Sequence, residues 1–101
     1  MLIDGHAHAW PADAALVADR RYTPPRAAPA EAYLAVLDAH GVGGGVLVQP
    51  SFLGTDNGAL VAALGRHPKR LRGVAVVEPA IADAELAALA AAGVVGIRFN
   101  V

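Results

Sequence analysis

The feature that most limits what this chain can fold into is a strict alternation. Short apolar runs, each closed by a proline or a polar residue, take turns with longer segments whose apolar residues recur at helical spacing. "LIDGH" opens the series as a first predicted strand. "GGVLVQP", "LRGVAVVEP" and "GVVGIRFNV" follow, and their near-continuous apolar character suits strands covered on both faces. Between them, "AEAYLAVLDAHG" sets Tyr33, Leu34, Val36 and Leu37 on a helix closed by Gly41. "TDNGALVAALGRHP" offers Thr55, Asp56 or Asn57 as a cap, Leu60, Val61 and Leu64 as a core face, and Pro68 as a stop. "ADAELAALAAAG" runs from Asp83, a candidate cap, to Gly93. The stretch "AWPADAALVADRRYTPPRAAP" is too rich in proline to be one regular element. The order βαβαβαβ predicts an α/β fold, with four parallel strands joined by right-handed helical crossovers, as one domain over residues 1–101.

Parallel strands deliver their C-terminal ends to one side of the sheet, which is where such folds place chemistry. His6 and His8 follow the first strand, Gln49 and Ser51 the second, Glu78 the third, and Arg98 and Asn100 lie at the end of the fourth. The first strand carries the sharpest signal. Side chains at i, i+2 and i+4 share a face, so Asp4, His6 and His8 are expected to point together. Two imidazoles about 7 Å apart along a strand can close on one metal ion, since neutral imidazole nitrogen is a zinc ligand. Alone, the H-x-H pair also fits two solvated histidines at a loop entrance. Its place at the end of a buried strand favours the ligand reading.

Composition narrows the partners. There is no cysteine, hence no disulfide framework and no thiolate metal site. Eight Lys and Arg against nine Asp and Glu leave a formal charge of −1, which argues against nucleic acid and anionic membrane. Every apolar run is broken well before the roughly 20 residues of a spanning helix, and no basic region precedes an apolar start. A cytoplasmic protein is expected.

Taken together, "IDGHAHAW", "RYTPP", "VLVQPSFLGTDN", "RLRGVAVVEP" and "AGVVGIRFN" resemble the amidohydrolase-2 type hydrolases of the amidohydrolase superfamily. The likeness is to the 2-pyrone-4,6-dicarboxylate lactonase-like branch, and it runs along nearly the whole chain in order. The resemblance implies a (β/α)8 TIM barrel of which this chain is the N-terminal half, since a whole barrel takes about 250 residues. It implies hydrolysis of a small carboxylated lactone or related cyclic ester. His6 and His8 would be the catalytic first-strand histidines, and Tyr22, Ser51 and Arg98 would hold the substrate. Arg98 also fits on its chemistry, a guanidinium being a fork for carboxylate.

A divalent metal, zinc first, would sit on His6 and His8; the lactonase branch also allows the pair to polarise a carbonyl by hydrogen bonding without metal. The later ligands and the general-base aspartate of the family have no counterpart in this chain. Two alternatives stand: a zinc-dependent decarboxylase of the same superfamily, or a split half-barrel with no activity of its own. A half-barrel leaves two bare edge strands, so self-association or pairing with a complementary half is expected.

Other motifs carry less. "GVGGGV" follows a helix and precedes a strand, the reverse of a dinucleotide loop, and reads as a cap and turn. "RHPKRLRG", with His67, reads as a solvated loop on the side away from the strand ends. His40, at a helix C-terminus, reads as structural.

Overall fold

The most continuously apolar run becomes an interior strand. The computed structural model describes residues 2–12, 16, 18 and 27–99. It holds four strands, Ile3–Ala7 (β1), Gly44–Val48 (β2), Leu71–Val76 (β3) and Val94–Arg98 (β4). All pairs are parallel and the order is β1-β2-β3-β4, so β1 and β4 are the edges. Helices Ala30–Ala39 (α1), Gly58–Arg66 (α2) and Asp83–Ala91 (α3) make the crossovers.

One face of the sheet packs on helices. Leu34 and Leu37 of α1 and Leu60, Ala63 and Leu64 of α2 bury against Leu47, Leu71, Ala75, Val77 and Val94. Leu64 is 1% exposed. Burying one such leucine is worth about 1.5–3 kcal/mol relative to exposure, so these side chains set which side of the sheet the helices take. Helix α3 adds no fully buried side chain.

The helix ends largely follow local chemistry. Gly41, at φ 68°, closes α1, and the Val42 N–H returns to the Leu37 carbonyl at 2.9 Å. Helix α2 stops before Pro68. Two expected caps are used differently. Asn57 stands at the cap position of α2, but its side chain makes no cap bond there; the Asp56 carboxylate takes the Gly58 N–H instead, at 3.0 Å. Asp83 is the first residue of α3, and Ala82 holds the cap position.

Three features were not anticipated. One is a register shift in β4, where Gly73 pairs with Val94 but Val74 with Gly96, so Val94 faces the helices while Gly96 and Arg98 face the other way. The other two bear on β1. Trp10 and Ala28 exchange backbone hydrogen bonds at 2.8 and 3.1 Å, joining the exit of β1 to the entry of α1. The last is a β-bulge in β1. Ile3 pairs with Gly44 and Asp4 with Gly45, but Ala7 pairs with Leu47, so three steps along β1 match two along β2.

The loop "RHPKRLRG" is solvated as expected, with Arg66, Pro68, Lys69 and Arg72 exposed, and its arginines also brace it. Arg70 donates to the Gly43 carbonyl at 3.0 Å and pairs with Asp38 at 2.7 Å, and Arg72 donates to the carbonyls of Pro68 and Leu71. These guanidiniums close the N-terminal ends of the strands. His67 joins Glu31 at 2.7 Å, and His40 bonds the Val36 carbonyl within its own helix.

Candidate functional site

The bulge decides which way the histidines face. Leu47 belongs to the helix-side core, and Ala7, its register partner, packs on the same core. His6 and His8, either side of Ala7, therefore project from the opposite, open face. Asp4 pairs with Gly45 and lies on the helix side, where it accepts a hydrogen bond from the Tyr33 hydroxyl at 2.8 Å. The expectation that Asp4, His6 and His8 point together is thus corrected. An extra residue in the strand resets a period of two, and Asp4 turns its back on the pair.

The two histidines meet. Their Nε2 atoms are 3.4 Å apart, and the rings stand edge to face with centroids 5.0 Å apart. His8 Nδ1 lies 2.7 Å from the Val48 carbonyl. A carbonyl only accepts, so Nδ1 carries the proton and Nε2 presents its lone pair toward His6. Two zinc ligands at about 2.05 Å, separated by a tetrahedral angle, stand about 3.35 Å apart. The observed spacing fits two corners of such a site, and the Nδ1–H to carbonyl bond is the usual support for a ligating imidazole. Among the described residues no group of three or more His, Cys, Asp or Glu could hold a metal ion. Two nitrogens are fewer than the three protein ligands a catalytic zinc normally takes.

Arg98 pairs in register with Val76 on β4. The row His8, Val48, Val74 and Gly96 crosses the open face, and Arg98 lies on that face one row further along. It stands three strands across the sheet from the histidines. It is half-buried. Between the two ends lies a floor of valines. Ser51 begins a single 3-10 turn, Ser51–Leu53, and is exposed at the same C-terminal end of the sheet. Tyr22 and Asn100 fall outside the described residues.

Two amides hold the loop that carries Ser51. Gln49 is 1% exposed and donates through Nε2 to the carbonyls of Gly54 and Asp56, at 3.1 and 2.8 Å. Asn57 pairs with Val76 in both directions, accepting its N–H at 3.1 Å and donating to its carbonyl at 2.9 Å. Gln49 was expected among the strand-end polar groups of the site; it braces the loop instead. Asn57 and Tyr33 were not singled out as site residues at all. The available signal was an amide or phenol beside a strand end, which is too common to discriminate. Glu78 is exposed and lines a groove of about 710 Å³ between α2 and α3. That groove lies on the helix side and includes neither the histidines nor Arg98, so it is separate from the candidate chemistry.

The fold has counterparts in known proteins. The Amidohydrolase family model matches residues 3–101. The chain is 40% identical over 100 residues to a 2-pyrone-4,6-dicarboxylate hydrolase of Comamonas testosteroni, covering 97% of this chain and 32% of that protein. It is 37% identical over 98 residues to a 4-sulfomuconolactone hydrolase of Rhizobium radiobacter, covering 95% of this chain and 32% of the relative. It superposes with a TM-score of 0.93, at 42% identity, on a probable 2-pyrone-4,6-dicarboxylic acid hydrolase from Acinetobacter baumannii, crystallised with citric acid bound. That match covers 96% of this chain and 36% of the solved one. The chain thus spans about a third of the length of the relatives it matches, and its four strands are the N-terminal part of the amidohydrolase TIM barrel.

Proposed function

The chain belongs to the amidohydrolase family, and on that premise we propose that the whole protein hydrolyses a small carboxylated lactone, with His6 and His8 at the carbonyl and Arg98 on a carboxylate. The observation that carries this reading is the meeting of two Nε2 atoms on the open face, with a guanidinium on the same face across an apolar floor. The names of the relatives point to the same class: a pyrone dicarboxylate and a sulfomuconolactone are both ring esters bearing anionic groups.

The mechanism follows from what each side chain can do. His8, protonated at Nδ1 by its bond to the Val48 carbonyl, cannot donate from Nε2 while neutral. His6 faces that lone pair. Either the Nε2–H of His6 turns to the scissile carbonyl as a hydrogen-bond donor, or both lone pairs face one cation. Amidohydrolases are often metal-dependent. A zinc ion held by His6 and His8 would supply Lewis acidity, with its other ligands from the rest of the barrel. In both versions the pair sits where negative charge develops on the carbonyl oxygen as water adds.

Arg98 would fix the ring by a bidentate hold on a carboxylate. The valine floor would exclude water beneath it, and Ser51, with Tyr22, would contact the ring's polar edge. The reading takes the water-activating base from the remainder of the barrel. The reading includes a cytoplasmic location, a small anionic substrate as the partner, and a complementary barrel portion or a second copy covering the edges of β1 and β4.

The test is a graft. Replacing the corresponding N-terminal third of the Comamonas testosteroni hydrolase with this chain is expected to give turnover of pyrone dicarboxylate or sulfomuconolactone. His6→Ala, His8→Ala or Arg98→Ala in the graft should abolish it. A folded graft inert toward both lactones overturns the reading.

A further inference from the structure

We propose that Asp4 is a positioning residue for the histidine pair: from the helix side of the sheet it grips the backbone of His6 and so holds the bulge that turns both imidazoles to the open face. The inference rests on the reading of His6 and His8 as the working pair, but its test needs no substrate. Without the bulge, the face that carries Asp4 would also carry His6 and His8, and all three would press into the core formed by Leu47 and α1. The extra residue rescues the histidines, and a bulge leaves backbone groups off the ladder that need partners.

Asp4 meets that need. One carboxylate oxygen, Oδ1, accepts the His6 N–H at 3.3 Å; the other, Oδ2, accepts the Tyr33 hydroxyl at 2.8 Å. Tyr33 is anchored in α1 beside the buried Leu34. Its hydroxyl reaches the strand through a gap left by Gly45, where a Cβ would stand 2.0 Å from Oη. A chain of four groups therefore links the helix core to the His6 backbone: Leu34, Tyr33, Asp4 and the His6 N–H. His8 has its own brace, the Val48 carbonyl. The two rings meet because each is held from a different side of the strand.

The experiment reads ring placement directly. In ¹H NMR of the 101-residue chain, wild type should show a nuclear Overhauser cross-peak between the imidazole protons of His6 and His8, and long-range ¹H–¹⁵N spectra should show His8 as the Nδ1–H tautomer. Asp4→Ala should lose the cross-peak while His8 keeps its tautomer, and should weaken the zinc affinity, titrated with the metal alone, at least tenfold. Asp4→Asn, which keeps one accepting oxygen, should recover part of both. If Asp4→Ala fails to fold, Tyr33→Phe decides, because it keeps the ring packing and removes only the anchor; it should weaken the cross-peak. No cross-peak in wild type, or an undiminished one in folded Asp4→Ala or in Tyr33→Phe, overturns the proposal. Wild type that takes up no zinc counts against metal in the functional reading, and the cross-peak arm then decides this proposal alone.

Discussion

Gly45→Ala tests how tightly β1 is tied to α1. The added Cβ would lie 2.0 Å from Tyr33 Oη, 2.8 Å from Cζ and 2.9 Å from Cε2. Non-bonded heavy atoms settle at about 3.5 Å or more, so the hydroxyl must retreat by about 1.5 Å. That exceeds the slack of an O–H···O bond, which is lost beyond about 3.0–3.2 Å. Helix α1 cannot simply lift, because Leu34 and Leu37 beside Tyr33 are buried in the core. The phenol must therefore swing away from Asp4.

Burial, and then the Asp4 carboxylate, push the Tyr33 phenol above its ordinary value, so it is a proton donor throughout the working range. What is lost is a hydrogen bond to a charged acceptor, about 1.5–3 kcal/mol. The substitution recovers about 0.4–1 kcal/mol by stiffening the unfolded chain. A net destabilisation of about 1–2 kcal/mol is expected, measured by urea unfolding at fixed protein concentration because association would shift the midpoint. In a Tyr33→Ala background the same change meets no ring and should be neutral or slightly stabilising. A coupling below about 0.5 kcal/mol, or a harmless Gly45→Ala, would refute the packing argument.

Other outcomes are equally specific. Glu31 accepts from His67 Nε2 at 2.7 Å and Arg66 Nε at 2.9 Å, and these bonds hold its carboxyl down to about 2 from an ordinary 4.5. A folded-state value below the unfolded one means the stabilisation is full above pH 4.5 and fades as pH falls toward 2. The Glu31 side chain is 52% exposed, so Glu31→Gln should cost less than about 1 kcal/mol at pH 7 and progressively less as pH falls through about 2; an equal cost at pH 7 and at the acid end, by urea unfolding, contradicts this. Asn57→Ala strips both backbone partners from Val76 and should cost about 1–3 kcal/mol, with faster exchange of the Val76 amide as the readout. The apolar side chains of Leu2, Ile3, Val95, Ile97 and Phe99 are exposed along the two edge strands, so the 101-residue chain should sediment as a dimer or larger; a monomer over a tenfold concentration range counts against it. Assayed by itself it should not turn over pyrone dicarboxylate, since positioned proton transfer gives about 10²–10⁴-fold and the general-base aspartate that the family resemblance implies has no counterpart in this chain.

How far the sequence reaches is clear from β1 and β2. In β2, "GGVLV" is apolar throughout, and a strand covered by neighbours on both sides needs no alternation; four of its five residues are buried. The helix ends at Gly41 and Pro68 are equally legible, because a positive φ and a missing N–H are properties of single residues. Strand β1 is different. Its D-x-H-x-H pattern invites a period of two, and that period places all three side chains together. The chain contradicts it with one extra residue between Asp4 and Ala7. Gly5 was the only mark of this, since glycine inside a strand often signals a bulge; with nothing within 4 Å of where its Cβ would be, it also shows no packing reason to be glycine.

Partners of buried amides were illegible for a related reason. Gln49 and Asn57 can donate or accept in either direction, and what they bind lies several to nineteen residues away. The pattern of residue types located the strand end where chemistry gathers. It left open that the Asp4, His6 and His8 triplet is divided between two jobs, with the histidines on the open face and the aspartate behind the sheet, joined to a helix. If that division holds, the acid in the motif is there to shape the strand, and a substitution that keeps both histidines can still separate them.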